Sequence, residues 1–239
     1  EGSLERKQLD SILLRNGEQF ITYLITDEAG EKSILKLINP EYLEYQDKYQ
    51  KIKEQFQLEK QVLNLLNIEE IPKYIDSGDN FLHLSYIKGQ NLQKYVESKK
   101  ISVEEIEKII CSVSETAGKL HRLGIVHCDI KPSNIIYDGK KTYIIDFGSV
   151  SFRGEESIYI QGSKGFSSPE IYIHGAKRTV QDDIYSITAL YCWLLSSQNY
   201  NSYIEENNEI FKIGLADKKE DRFKSTKELT GAIKTIRRE

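Results

Sequence analysis

At 239 residues, with 39% hydrophobic and 29% charged side chains, the chain can bury a real core as one large domain or two small lobes. Its net charge of −4 excludes the basic field that a nucleic-acid or anionic-membrane partner demands. The most apolar stretch, "SITALYCWLL" at 186–195, is about half of a membrane-spanning helix, so a buried core helix is expected there and no membrane span.

The N-terminus opens with the charged "EGSLERKQLD" and carries no signal-peptide pattern. The chain has no methionine, even at position 1, as expected of a domain cut from a larger enzyme, with "EGS" a cloning scar. Cys111, Cys128 and Cys192 are odd in number and lack metal spacing, which predicts a reducing, cytoplasmic setting. There is no internal repeat and no low-complexity linker.

In chain order, "SILLRNGEQF" and "ITYLITDEAG" are predicted strands, broken by Asn-Gly and by Asp-Glu-Ala-Gly. "KSILKLINP" is a third strand, stopped by Asn39-Pro40. Over residues 45–67, Ile52, Phe56, Leu58, Leu63 and Leu66 recur at roughly helical spacing, with charges on the other face. "IPKYIDSGDNFLHLSYIKGQ" returns to strand, with a turn at 76–79. "NLQKYV" is a short helix. "SVEEIEKIICSVSETAGKLHRLG" is a long one, with Ser102 as N-cap, Glu105 at the capping-box position and Gly124 closing it. Two short strands follow within 125–150, then a loop over 149–168. "TVQDDIYSITALYCWLLSS" is the most apolar helix, and "DRFKSTKELTGAIKTI" closes the chain. Strands first and helices second predict an α+β protein: residues 1–87 as a strand-rich lobe with one long helix, and 88–239 as a mainly helical lobe.

The stretch "IVHCDIKPSNIIYDGKKTYIIDFGSV", 125–150, places two aspartates after short apolar runs, with a lysine and an asparagine at fixed offsets from the first. That set suits phosphoryl transfer, which needs positioning and charge neutralisation more than covalent help. Asp129 can orient an acceptor hydroxyl and Lys131 can reach a γ-phosphate. Asn134 and Asp146 supply the hard oxygens that Mg²⁺ prefers.

With "HCDIKPSN" followed by "DFG", the chain resembles the eukaryotic-type (Hanks-type) Ser/Thr protein kinases, in a minimal, bacterial-looking form. The resemblance implies a two-lobed kinase fold using ATP with Mg²⁺ or Mn²⁺. It casts Lys36 of "ILKLI" as the lysine that holds the α- and β-phosphates, and Glu59 as its helix partner. Leu84 becomes the gatekeeper, and Ser85, Tyr86 and Ile87 the hinge that offers backbone groups to adenine. Ser168-Pro169-Glu170 ends the activation segment, Asp183 props the catalytic loop, and Arg222 pairs with Glu170. Taken singly, these residues read blandly. A lone strand lysine is usually a solvated charge, Glu59 a polar helix face, and His127 a packed histidine rather than a base. The functional reading comes from the ordered set.

Three departures carry expectations. Of three glycines between the first two strands only Gly17 remains, with Arg15 and Phe20 at the flanking positions, which predicts a looser phosphate lid and modest ATP affinity. Cys128 stands where regulated members have an arginine, so activity is expected not to depend on phosphorylation of Ser151, Ser157 or Tyr159. Ser163 stands where threonine is usual, its hydroxyl within expected reach of Asp129 and Lys131. Only about 25 residues separate Ser197 from Arg222, so the acceptor is expected to be small or docked by another domain. The function expected is transfer of the ATP γ-phosphate to Ser or Thr of a protein or peptide. The alternatives are a small-molecule kinase and a nucleotide-binding pseudokinase scaffold.

Overall fold

The computed structural model describes residues 10–41, 46–156 and 162–236. The opening "EGS", Ser157 and Tyr159 lie outside them. The chain divides into two compact units between Ile87 and Lys88.

In the first unit, strands β1 (Asp10–Asn16), β2 (Phe20–Thr26), β3 (Lys32–Ile38), β4 (Tyr74–Ser77) and β5 (Phe81–Ser85) form one antiparallel sheet in the order β1-β2-β3-β5-β4. The turn signals sit where the sequence put them. Asn16-Gly17 opens the first hairpin, and Asp27 closes the second by accepting from the backbone of Ala29 and Glu31. Helix α1 (Gln46–Leu65) buries Ile52, Phe56, Val62 and Leu63, together with Gln55, Glu59 and Lys60. Its inner face is therefore wider than the apolar spacing showed. Leu58 is only half-buried and Leu66 lies beyond the helix end. Lys60 is tolerated inside because its ammonium donates to Gly78 O and Asp79 O and lies 4.4 Å from the Phe56 ring centroid.

In the second unit, β6 (Gln90–Asn91) leads into α2 (Leu92–Ser98), capped by Asn91 accepting from Lys94 N. Helix α3 (Val103–Arg122) starts at Ser102, whose side chain accepts from Glu105 N, and ends before Gly124 at φ +75°, a left-handed position that glycine takes without steric cost. Strands β7 (Ile125–Val126), β8 (Ile135–Tyr137), β9 (Thr142–Ile144) and β10 (Ser151–Phe152) form two small sheets, β10-β7 and β6-β8-β9. Helix α4 (Val180–Ser197) is the buried helix expected from its composition, with Ile184, Ile187, Leu190, Tyr191, Leu194 and Leu195 all in the core.

Two short helices, α5 (Asn201–Glu206) and α6 (Asn208–Gly214), occupy a segment the sequence left unassigned. Its Asn- and Glu-rich run shows no clear period. Packing of Tyr203, Ile204, Ile210 and Phe211 against the core holds it helical. Helix α7 (Thr226–Ile236) begins five residues later than the apolar pattern suggested. Ser225 caps it by accepting from Glu228 N, and the preceding residues form a 3₁₀ turn. Among the described residues no helix is long and apolar enough to cross a membrane.

Candidate active site

The loop after β7 is built on Asp183. This carboxylate, in the first turn of α4 and fully buried, accepts from His127 N and Cys128 N at 2.9 Å each and from His121 Nε2 at 2.8 Å. Burial alone would raise its pKa. The His121 hydrogen bond and the charges of His121 and His127 outweigh that and hold it below the usual carboxylate value. The same two amide bonds stabilise Cys128 at φ +65°, which a residue with a Cβ rarely adopts. His127 is fully buried, edge-on to Phe147 at 4.9 Å, and its Nδ1 accepts from Asp129 N at 3.3 Å. It is a packed histidine, as expected.

Asp129 leaves this loop into a cage of donors. Lys131 Nζ donates to Asp129 Oδ2 at 2.7 Å and to Ser163 Oγ at 2.8 Å. Ser163 donates to Asp129 Oδ1 at 2.6 Å. Asn134 Nδ2 donates to Asp129 Oδ2 at 2.9 Å and to its backbone oxygen at 3.0 Å. Both carboxylate oxygens are thus fixed in direction by charged or polar donors.

The β8–β9 hairpin explains how Asn134 and Asp146 come together across eleven intervening residues. Its register pairs Ile135 with Ile144, and Ile145 N donates to Asn134 O at 2.9 Å. Asn134 therefore stands at the mouth of the hairpin and Asp146 is the next residue after that latch. Asp146 has φ +64°, a turn conformation that ends the strand and admits Phe147 to the core. Among the described residues there is no cluster of three His, Cys, Asp or Glu side chains that would hold a metal unaided. An Asp–Asn pair of hard oxygens fits Mg²⁺, which keeps waters and phosphate oxygens as its remaining ligands.

In the first unit, Lys36 on β3 and Glu59 on α1 form a bidentate ion pair, with Nζ 2.9 Å from both carboxylate oxygens. Gly17 spends its own groups inside the hairpin. Its N–H donates to Phe20 O at 3.0 Å and its carbonyl accepts from Asn39 Nδ2 at 3.1 Å. A Cβ at Gly17 would meet Phe20 O at 3.0 Å, so glycine fits the tight turn. Asn39 also donates to Gln19 O, and the Phe20 ring lies 5.2 Å from Phe56 and 4.5 Å from Lys36 Nζ. The aromatic ring thus ties the hairpin to helix α1. Leu84 is buried in β5, Ser85 ends that strand with its N–H bonded to Lys73 O, and Tyr86 and Ile87 close the unit.

The segment ending in Ser168-Pro169-Glu170 is anchored from below. Arg222, fully buried, reaches both oxygens of Glu170 at 3.0 Å and also donates to Ala216 O, Gln181 O and Asp217 O. Ser168 donates to Asp182 Oδ1 at 2.6 Å. Ser151 is buried in β10, opposite Val126. Two supports escaped sequence reading. His121 lies in the last turn of α3, where nothing in the sequence marks it as a partner of Asp183. Arg178, buried beside the anchored segment, donates to Glu170 O and Ile171 O.

Comparison with known proteins agrees with this geometry. The "Protein kinase domain" family matches residues 17–236. Bud32, a KEOPS complex subunit of Pyrococcus abyssi, is 33% identical over 111 residues, which is 46% of this chain and 45% of that protein. Serine/threonine-protein kinase F of Synechocystis is 31% identical over 147 residues, covering 54% and 29%. The probable serine/threonine-protein kinase PknB of Lactococcus lactis is 27% identical over 141 residues, covering 56% and 22%. The chain spans less than half the length of each of these relatives. The crystal structure of the Mycobacterium tuberculosis PknI kinase domain superposes with a TM-score of 0.75 at 18% identity, over 95% of both chains, and shares the fold. The family match covers nearly the whole described chain and contains every motif laid out above, so the chain belongs to the protein kinase domain family.

Proposed function

We propose that the protein is an ATP-dependent protein kinase that transfers the γ-phosphate to a Ser or Thr hydroxyl of a protein or peptide. The observation that carries this reading is the donor cage around Asp129. Lys131, Asn134 and Ser163 fix both of its oxygens, so one carboxylate edge is aimed and ready to orient a hydroxyl. The acceptor oxygen forms a bond to the γ-phosphorus as the bridging bond to ADP breaks, and the hydroxyl proton passes to Asp129. Lys131 offsets charge on the transferring phosphoryl group. Lys36, held by Glu59, binds the α- and β-phosphates. Asn134, with its Nδ2 committed to Asp129, offers Oδ1, and Asp146 a carboxylate, to Mg²⁺ or Mn²⁺; the bound cation neutralises phosphate charge. Leu84 and the backbone of Ser85, Tyr86 and Ile87 receive the adenine.

The anchored Ser168–Glu170 segment favours a peptide acceptor over a small molecule, because it is a platform beside the acceptor loop. The thiols of Cys128 and Cys192 suit a reducing, cytoplasmic setting. The test is a radiolabel assay with ATP·Mg²⁺ and generic protein substrates, wild type against Asp129→Ala. Label on serine or threonine that vanishes in the variant supports the reading. ATP binding without transfer would make the domain a pseudokinase scaffold, and transfer only to small molecules would move it to that class.

A further inference from the structure

Beside the Asp129 cage lies a cavity of about 380 Å³ formed within the second unit. Lys131 and Ser163, two members of the cage, are also two of its walls. Its aromatic part is Phe166 from the activation segment and Trp193 from α4, set edge to face with centroids 6.3 Å apart. Gln93 of α2 and Lys164 complete its rim. Trp193 is the chain's single tryptophan, and it is only half-buried on a helix whose other large apolar residues are mostly sealed in the core. Lys164 is exposed and makes no ion pair among the described residues, and no carboxylate lines the cavity.

The geometry points to this cavity as the acceptor-recognition pocket, selecting Ser/Thr peptides that carry a bulky aromatic residue and a carboxylate beside the phosphorylated position. The inference rests on the protein-kinase reading above and names its substrate class. Two half-exposed aromatic rings give a floor on which an aromatic side chain stacks and sheds water. Lys164, with no acid among the lining residues, gives a positive rim complementary to Asp or Glu, while Asp129 takes up the charge of Lys131. The shared walls put that side chain next to the hydroxyl that Asp129 orients. A basic flanking residue would meet Lys164 and be rejected.

The test uses peptides with one Ser acceptor and one aromatic neighbour, flanked by Asp, Ala or Lys, at saturating ATP·Mg²⁺. Wild type is expected to favour the Asp peptide over Ala by about fivefold in kcat/KM, through KM, with Lys lower still; that is the size of one rim charge pair. The exposed-site variant Lys164→Glu should invert the Asp–Lys order in kcat/KM. Trp193 supplies a second readout: a Ser→Ala version of the Asp peptide should shift tryptophan emission saturably, and its Lys counterpart should not. Transfer with no flank preference, or an unaltered Trp193 signal, overturns the pocket while leaving the kinase reading intact. Transfer to no peptide of any composition removes the protein-kinase reading, and the pocket with it.

Discussion

Ser163 donates its hydroxyl to Asp129 Oδ1 at 2.6 Å and accepts from Lys131 at 2.8 Å, so a residue of the segment before Ser168-Pro169-Glu170 is part of the cage around the Asp129 carboxylate. The segment and the cage cannot be ordered independently. Ser163→Ala removes one donor to a charged acceptor, worth roughly 1.4 kcal/mol of positioning and so about tenfold in kcat. Ser163→Thr keeps the hydroxyl and should retain most of the rate. Steady-state kinetics on both variants check this; equal activity of the alanine variant and wild type would show that Lys131 and Asn134 suffice.

The Lys36–Glu59 pair makes a prediction about stability as well as activity. Both residues are nearly inaccessible, at 8% and 1% exposure. Glu59→Ala removes the bidentate carboxylate of a buried ion pair beside the Phe20 ring, which costs about 3–5 kcal/mol, or a drop in Tm on the order of 10 °C for a chain of this size. The double variant Lys36→Met/Glu59→Leu buries no charge and should recover most of that loss while remaining unable to transfer phosphate. Thermal unfolding of the two variants separates these effects. A single variant as stable as wild type would mean the site relaxes to admit water.

The element types and the family motifs are legible because they are local. Turn chemistry at Asn16-Gly17, the Ser102 cap and the run of motifs from Asp129 to Asp146 all lie in short windows. What was hidden was three-dimensional support. Asp183 is held by His121, 62 residues away, a distance over which periodicity carries no signal, whereas the Arg222–Glu170 pair, 52 residues apart, was expected only through the family resemblance. The inner face of α1 was read too narrowly because Glu59 and Lys60 are polar, and only their partners explain why they are inside. Phe20 was read as a defect of a glycine-rich turn. Its packing on Phe56 could not be seen without the helix in place. Helices α5 and α6 owe their shape to the core they lean on.

Cys128 bears on regulation. It is 3% exposed, and burial, with the carboxylates of Asp183 and Asp182 adding to it, pushes its thiol well above the ordinary value. A neutral thiol cannot bind a phosphorylated segment, and the buried Ser151 offers no accessible hydroxyl. Protein treated with phosphatase, and the Ser151→Ala/Ser157→Ala/Tyr159→Phe variant, are therefore expected to keep most wild-type activity. Loss of most activity in either would return control to loop phosphorylation. Iodoacetamide should leave Cys128 unmodified at pH 8 until the protein is unfolded, as read by mass spectrometry.

Asp183 sets the expected response to acid. Burial opposes its ionisation, yet hydrogen bonds and charge from His121 and His127 hold its folded pKa below the unfolded value of 3.8. A lowered acid contributes stability that is fully present above about pH 4 and is lost as pH falls through the still lower folded value. Its neighbour Asp182 is shifted the other way by burial, so its ionised form costs stability near neutrality and that cost fades on acidification. The two slopes oppose each other, and removing Asp183 should expose the second. Asp183→Asn loses acceptor strength toward His127 N, Cys128 N and His121, so it should be less stable at pH 7. Below pH 4 its stability should then fall less steeply with acid than that of wild type. Denaturant midpoints from pH 3 to 7 for both proteins measure this, and parallel curves would show that the catalytic loop draws nothing from the charge on Asp183.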